Sequence, residues 1–347
     1  MIKRPLIGVR AVVSGVLLIK FLVIIVIYCQ IQNFAASSLT ITQDIIFTLP
    51  LGTGWQALKT KLEAKKIIKH SYWFLWLLRL DPALSQFKAG TYLLKPTMSI
   101  RKMLLLLVNG KEAWFSWKFI EGKQLQDGLI SLEKAPWIRH FLKKDNHQEM
   151  ADLLGIKSFQ ELEGWLYPDT WYYTANTSDL EILHRAHERM KQLVNTLWQN
   201  RIIGLPYKGS NELVILASII EKETAITTER YKVASVFINR LRSGMRLQSD
   251  PTVIYSLGNK YRGTLSRYDL ESKNAYNTYI NPGLPPGPIS IPSKTSLRAA
   301  AHPFNSTYLY FVADGNGKLI FNINLANHLQ AVKIYRYHKN HQGKYEK

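Results

Sequence analysis

Residues Asn211–Thr224, NELVILASIIEKET, decide how the chain folds. From Leu213 to Ile220 a helix here is apolar on every side, broken only by Ala217 and Ser218. A helix of that kind must be enclosed by other elements. It therefore predicts the centre of a globular domain. The segment ends in two carboxylates, Glu221 and Glu223. Two residues apart, they point to nearly opposite sides of the helix. Glu223 continues the apolar stripe of Leu216, Ile219 and Ile220, whereas Glu221 follows Ala217 and Ser218. A carboxyl on an apolar face is desolvated and its pKa rises, which is the state a general acid needs near neutral pH. Glu223 is thus the better catalytic candidate. The competing reading makes both glutamates solvated last-turn residues paired with Lys222 or Arg230.

Downstream, Val233–Tyr255 (VASVFINRLRSGMRLQSDPTVIY) predicts a helix with Val233, Val236, Phe237 and Leu241 on one face, ending at Ser243-Gly244. An extended stretch follows, and a further helix opens at Asp250-Pro251-Thr252 with Asp250 as its cap. Asn239, Arg240, Gln248 and Asp250 are polar groups set among apolar ones, and so candidates to hydrogen-bond a substrate. Tyr276–Pro292 (YNTYINPGLPPGPISIP) is too rich in Pro and Gly for a helix or an inner strand. It predicts a rigid loop, one that either holds site residues such as Tyr276 and Asn277 or wraps the core. Ala299–Pro303 (AAAHP) reads as a helix end and Tyr308–Asp314 (YLYFVAD) as a strand before a Gly-Asn-Gly turn.

Upstream, Leu162–Tyr173 (LEGWLYPDTWYY) sets five aromatic residues around Glu163 and Asp169. Such a cluster is either a platform for sugar rings or an aromatic β-hairpin in the core. Trp114–Ile120 alternates like a strand, and 128–160 reads as helices with loops. No GxSxG elbow, Walker loop, HExxH or dinucleotide fingerprint occurs, and the nine His show no ligand spacing. No metal and no cofactor is expected.

The amino terminus bears on where this domain works. Val9–Ile31 is almost wholly apolar, long enough to cross a bilayer. Lys20 near its middle costs roughly 3 kcal/mol, but more than ten Leu, Ile, Val and Phe each return a few tenths to about half a kcal/mol. Lys3, Arg4 and Arg10 precede the core of the span and no charge follows until Asp44. The positive-inside rule puts residues 1–8 in the cytoplasm and everything after about residue 33 outside. The competing reading is a cleaved signal peptide, with a small-residue site near Ala35-Ala36. Residues 34–43 read as a short linker. Strand Ile45–Leu49, helices over Trp55–Ile68 and Tyr72–Leu80, strand Gly90–Leu94, and a helix capped by Ser99 and stopped at Asn109-Gly110 follow.

The chain of 347 residues carries 45 Lys and Arg against 25 Asp and Glu, a net charge of +20. That invites a nucleic-acid reading. Export argues against it, and the charge then faces anionic lipid or an anionic wall polymer, or simply serves solubility. An apolar fraction of 46% excludes a disordered chain. The lone Cys29 excludes an intramolecular disulfide framework. By length, about two domains are expected.

Taken together, EGWLYPDTW, ASIIEKET, VASVFINRLRSGMRLQSDPTVIY, YNTYINPGLPPGPI, AAAHP and YLYFVADGNGKLIFN resemble the endolytic murein transglycosylase family, also called YceG-like, over most of 160–325. Residues 40–118 resemble a LysM-like module in pattern. Ser293 departs from the family, where Gly is expected, a difference read as a loop detail. The resemblance implies an α+β fold: transmembrane helix 9–31, a small LysM-like αβ subdomain at 40–118, and a larger α+β catalytic domain at 119–347. It implies a lyase that cuts between N-acetylmuramic acid and N-acetylglucosamine inside nascent peptidoglycan strands and leaves 1,6-anhydromuramoyl ends. The catalytic residue it implies is Glu223. Glu163, Asn239, Gln248, Asp250, Tyr276 and Asn277 are the candidates for positioning the sugar. The implied partners are peptidoglycan strands, the membrane and glycan polymerases of the elongation machinery, with no nucleic acid. The implied location is the cell inner membrane, single-pass, with the amino terminus cytoplasmic and the catalytic domain periplasmic. Two alternatives stand: a hydrolase that uses water with Glu221 or Asp250 as second carboxylate, and a non-catalytic glycan-binding scaffold.

Overall fold

The structure is a computed structural model and describes residues 6–141 and 147–342. Lys3 and Arg4, used above to orient the span, and part of the 128–160 region lie outside the described residues. The fold mixes helices with small sheets. The chain divides into two units, Met1–Phe115 and Ser116–Lys347.

The first unit opens with helix α1 (Leu6–Ala36). Its stretch Val12–Ala36 is long and apolar enough to cross a membrane, the one such helix among the described residues. Strand β1 (Ile45–Leu49), helices α2 (Trp55–Ala64) and α3 (Tyr72–Leu80), strand β2 (Gly90–Leu94) and helix α4 (Ile100–Asn109) complete the unit. β1 and β2 pair antiparallel, with Ile45 opposite Leu94 and Leu49 opposite Gly90. α4 has the predicted ends: the Ser99 hydroxyl accepts from the Lys102 amide, and Gly110 closes it in the left-handed conformation. α2 stops four residues before the predicted end. Lys66 adopts φ 53° there, and the chain turns to bury Ile67 and Ile68 in the core.

The predicted linker at 34–43 is not a linker. α1 continues to Ala36, and Ile31, Phe34 and Ala35, at i, i+3 and i+4 on one helix face, are buried in the core of this unit. Leu39 is buried too, with its amide donating to Met98, and the Thr40 amide donates to Ile67. Polar and small residues here are compatible with docking because the apolar ones keep helical spacing.

The second unit contains β3 (Phe115–Lys118), which runs across the unit boundary, α5 (Leu125–Glu133), α6 (His147–Leu153), β4 (Thr170–Tyr173), α7 (Asp179–Gln199), α8 (Ser210–Glu223), α9 (Thr227–Arg242), α10 (Asp250–Leu257), α11 (Arg267–Leu270), α12 (Lys294–Ala301), β5 (Tyr310–Ala313), β6 (Leu319–Asn322) and α13 (Leu325–Gln342). The segment 162–173 is not a hairpin: its only strand, β4, pairs with the distant β3. β5 and β6 form a hairpin around the Gly315-Asn316-Gly317 turn. α8 lies at the centre, packed by α7, α9, α10 and α12. Every residue from Leu213 to Ile220 is buried. Burying each of the large ones contributes about 2 kcal/mol. The Pro-rich loop wraps α8 as well: the Ile289 amide donates to the Ser218 hydroxyl, and the Ser290 hydroxyl donates to the Ser218 carbonyl, both at 3.0 Å.

Candidate active site

The two carboxylates that end α8 have different surroundings. Glu221 is buried and fully engaged. Its Oε1 accepts from Arg230 at 2.9 Å; its Oε2 accepts from the Ser293 amide at 2.9 Å and the Ser296 hydroxyl at 2.7 Å. The smaller stripe of Ala217 and Ser218 does not lead to solvent as the helical pattern suggests. Small side chains there admit the Pro-rich loop, which encloses that side. Glu221 is therefore a structural carboxylate rather than a solvated one, and Arg230 is its partner. Ser293 is more than a loop detail: it caps α12 and accepts from Arg230 at 2.5 Å.

Glu223 has no cation within salt-bridge distance among the described residues. Burial pushes its carboxyl up to about 7, the nearby Asp250 charge adds to this, and a hydrogen bond from Ser249 with the Arg240 charge opposes it. Ser249 stands at the cap position of α10, one residue before the Asp250 predicted for that role. Its hydroxyl does not cap the helix but donates to Oε1 of Glu223 at 2.5 Å. A buried network fixes Ser249: its amide donates to the Thr278 hydroxyl at 3.0 Å, and the Thr252 hydroxyl donates to its carbonyl at 2.7 Å.

Glu223 lines two cavities. One, of about 420 Å³, is also bordered by Arg240, Gln248, Asp250, Tyr279, Tyr310 and His328. The other, of about 400 Å³, runs past Gly122, Lys222, Thr224 and Arg230. A site open on both sides of its acid suits an extended polymer. In the first cavity Arg240 holds the carbonyls of Leu309 and Leu247 at 2.7 and 2.8 Å and lies 5.1 Å from the Tyr310 ring. His328 stacks on Tyr310 with ring centres 5.0 Å apart. Its buried Nδ1 has no hydrogen-bond partner, and burial with the Arg240 charge lowers its pKa. The Tyr279 hydroxyl donates to Asp250 at 2.5 Å.

Of the candidate residues, the structure brings Glu223, Gln248 and Asp250 to one cavity. Gln248 holds φ 51°, an uncommon conformation for a residue with a side chain. Asn239, Asn277, Glu163 and Tyr276 line neither cavity. Asn239 donates to the carbonyls of Ser306 and Tyr308. Asn277 is wholly buried and binds the carbonyls of Leu270 and Ser272 and the Tyr279 amide. Both satisfy backbone rather than offering groups to a ligand. Glu163 sits at the start of α5, where the Leu125 amide donates to both its oxygens at 3.0 and 3.2 Å, yet burial pushes its pKa up to about 7. Tyr276 packs on Tyr255 with ring centres 4.9 Å apart; burial raises the pKa of both phenols, and the Glu163 charge adds to it. The site residues that sequence reasoning missed are Ser249, Tyr279, Tyr310 and His328. Only the Asp250-Pro251 helix start pointed near one of them. Among the described residues no three His, Cys, Asp or Glu side chains come together as a possible metal site.

The model of the YceG-like family matches residues 47–334. An endolytic murein transglycosylase of Bacillus subtilis is 30% identical over 313 residues, which is 84% of this chain and 85% of that protein. One from Streptococcus pneumoniae is 27% identical over 315 residues, 81% of this chain and 56% of that protein. The chain thus spans little more than half the length of the second relative. A crystal structure of a YceG-like protein from Listeria monocytogenes aligns with a TM-score of 0.53 at 30% identity, covering 85% of this chain and 99% of that one.

Proposed function

The chain belongs to the YceG-like family, and from that membership we propose that it is a peptidoglycan lytic transglycosylase acting inside glycan strands, with Glu223 as its acid and base. The observation that carries this reading is the Glu223 carboxyl, with its pKa near 7, set between two cavities. At neutral pH a large fraction of it is protonated. The protonated form donates to the glycosidic oxygen as the C1–O bond breaks. The C6 hydroxyl of the muramoyl residue attacks C1 and returns its proton to Glu223. The acid is regenerated, no water is consumed, and a 1,6-anhydromuramoyl end is left. Ordinary glycosidases need a second carboxylate as nucleophile or to activate water. Here the substrate supplies its own nucleophile.

Gln248, Asp250, Arg240 and Tyr279 supply donors and acceptors along the first cavity, and the unpaired Nδ1 of His328 leaves a place for one more hydrogen bond. The cation of Arg240, tied to backbone carbonyls, fixes the wall rather than searching for substrate. α1 anchors the protein in the inner membrane, with the amino terminus cytoplasmic and the second unit periplasmic. An anchored site meets lipid-tethered nascent strands at raised effective concentration. It works beside the glycan polymerases of the elongation machinery and acts as a terminator of strand growth.

Digestion of nascent peptidoglycan by the purified full chain, followed by mass spectrometry, tests the reaction. Anhydromuramoyl ends are expected. Reducing muramic ends would overturn the lyase and favour a hydrolase with Asp250 as base, because Asp250 shares the cavity with Glu223.

A further inference from the structure

α3, YWFLWLLRL, is apolar nearly all round. Phe74, Leu77 and Leu78 face the core of the first unit. The opposite side leaves Tyr72, Trp76 and Leu80 exposed at 60%, 49% and 50%, spaced i, i+4 and i+8 along one stripe. Water is a poor solvent for such a face, and apolar stripes of this kind mark contact surfaces.

Three observations identify what covers it. α3 packs against α1. From Val12 to Ile31, α1 has 20 residues, about 30 Å of helix and the thickness of the hydrocarbon core. Ile31, Phe34 and Ala35 are then buried in the unit's core, so the protein begins where the hydrocarbon ends. α3, packed on that end, lies at the level of the head groups. Its stripe has the residues of that zone, since Tyr and Trp concentrate at membrane interfaces. The approach to α3 carries exposed Lys65, Lys66 and Lys69, and the Arg79 guanidinium lies over the Trp76 ring at 5.3 Å. Cations there attract anionic lipid, and Arg79 can bury its stem while its charge stays at the surface.

We infer that the Tyr72–Trp76–Leu80 stripe of α3 lies in the bilayer interface as a second, peripheral membrane contact beside the α1 span. This rests on the reading of α1 as an anchor. The contact holds the first unit against the lipid surface in a defined orientation.

The test uses the full chain with Cys29→Ser in bilayers of phosphatidylethanolamine and phosphatidylglycerol. Single cysteines for a nitroxide label are placed by Trp76→Cys and Tyr72→Cys on the stripe, by Ile19→Cys within α1, and by Leu51→Cys at an exposed turn of the same unit. Collision with dissolved oxygen is compared with collision with a water-soluble nickel chelate. Labels at 76, 72 and 19 are expected to favour oxygen, and the label at 51 to favour the chelate. Labels at 76 and 72 that favour the chelate, while 19 favours oxygen, overturn the α3 contact alone. Labels at 76 and 72 screened from both reagents mean cover by protein, which also overturns it. A label at 19 that favours the chelate overturns the anchor itself.

Discussion

Ser249 donates its hydroxyl to Glu223 across 26 residues of sequence, at 2.5 Å, instead of capping the helix it begins. The bond favours the ionised carboxylate, whereas burial favours the neutral acid. The working pKa of the candidate acid is set by that opposition, and each side of it can be altered separately.

Glu223→Gln keeps the size of the side chain and its bond to Ser249 but removes the transferable proton. Cleavage is expected to fall by about 10³-fold or more, with the melting temperature at pH 5 nearly unchanged. A variant that retains cleavage would place the acid elsewhere.

Ser249→Ala removes the bond that lowers the Glu223 pKa, so that pKa moves above about 7. Activity needs the protonated acid and declines as pH rises through this value. The alkaline limb of the kcat/KM profile is therefore expected to shift to higher pH. A uniform drop with an unmoved limb would make Ser249 merely structural.

Glu163 and Glu223 both have folded-state pKa values near 7, against about 4.3 in the unfolded chain. The folded state then binds more protons between those limits. Stability is full below about pH 4.3, declines as pH rises to about 7, and levels off above it, costing about 3 kcal/mol per group. Glu163→Gln keeps an acceptor for the Leu125 amide and loses the charge. It is expected to raise the melting temperature at pH 8 and leave it nearly unchanged at pH 4.

Arg230→Met leaves Glu221 buried without its cation. A loss of about 3–5 kcal/mol in urea unfolding is expected. Adding Glu221→Gln removes the stranded charge and should recover part of the loss. Equal instability of the single and double variants would show that the pair carries little of this energy.

His328→Ala deletes the side chain whose Nδ1 is unpaired but leaves Glu223 and Ser249 in place. KM for glycan is expected to rise several-fold with kcat less affected. A fall in kcat alone would move His328 from binding to chemistry.

The sequence was legible where one residue's neighbours along the chain are also its neighbours in space. Leu213–Ile220 could be read as an enclosed helix because all sides of a helix are visible in consecutive letters. Ser99 and Gly110 could be read as helix ends for the same reason. Asn239 and Asn277 were read as ligand contacts because polarity among apolar residues signals a needed partner. Nothing in the letters says whether that partner is a substrate or the chain's own carbonyls. Glu221 was misjudged because small residues beside it look like access to water, when they equally allow a loop to approach. His328 and Tyr310 reach the cavity from elements that lie 105 and 87 residues beyond Glu223, a relation no local pattern carries.

α1 enters the first unit without a break, since Ile31, Phe34 and Ala35 belong at once to the helix and to the core. The heading of that unit about the membrane normal is therefore written in helical phase. One residue added between Tyr28 and Ile31 would swing it by about 100° and lift it by about 1.5 Å, whereas seven would return it to nearly the same bearing roughly 10 Å higher. The chain thus carries a compass and a ruler in the same few letters, and indels there would re-aim the protein without changing any side chain in its site.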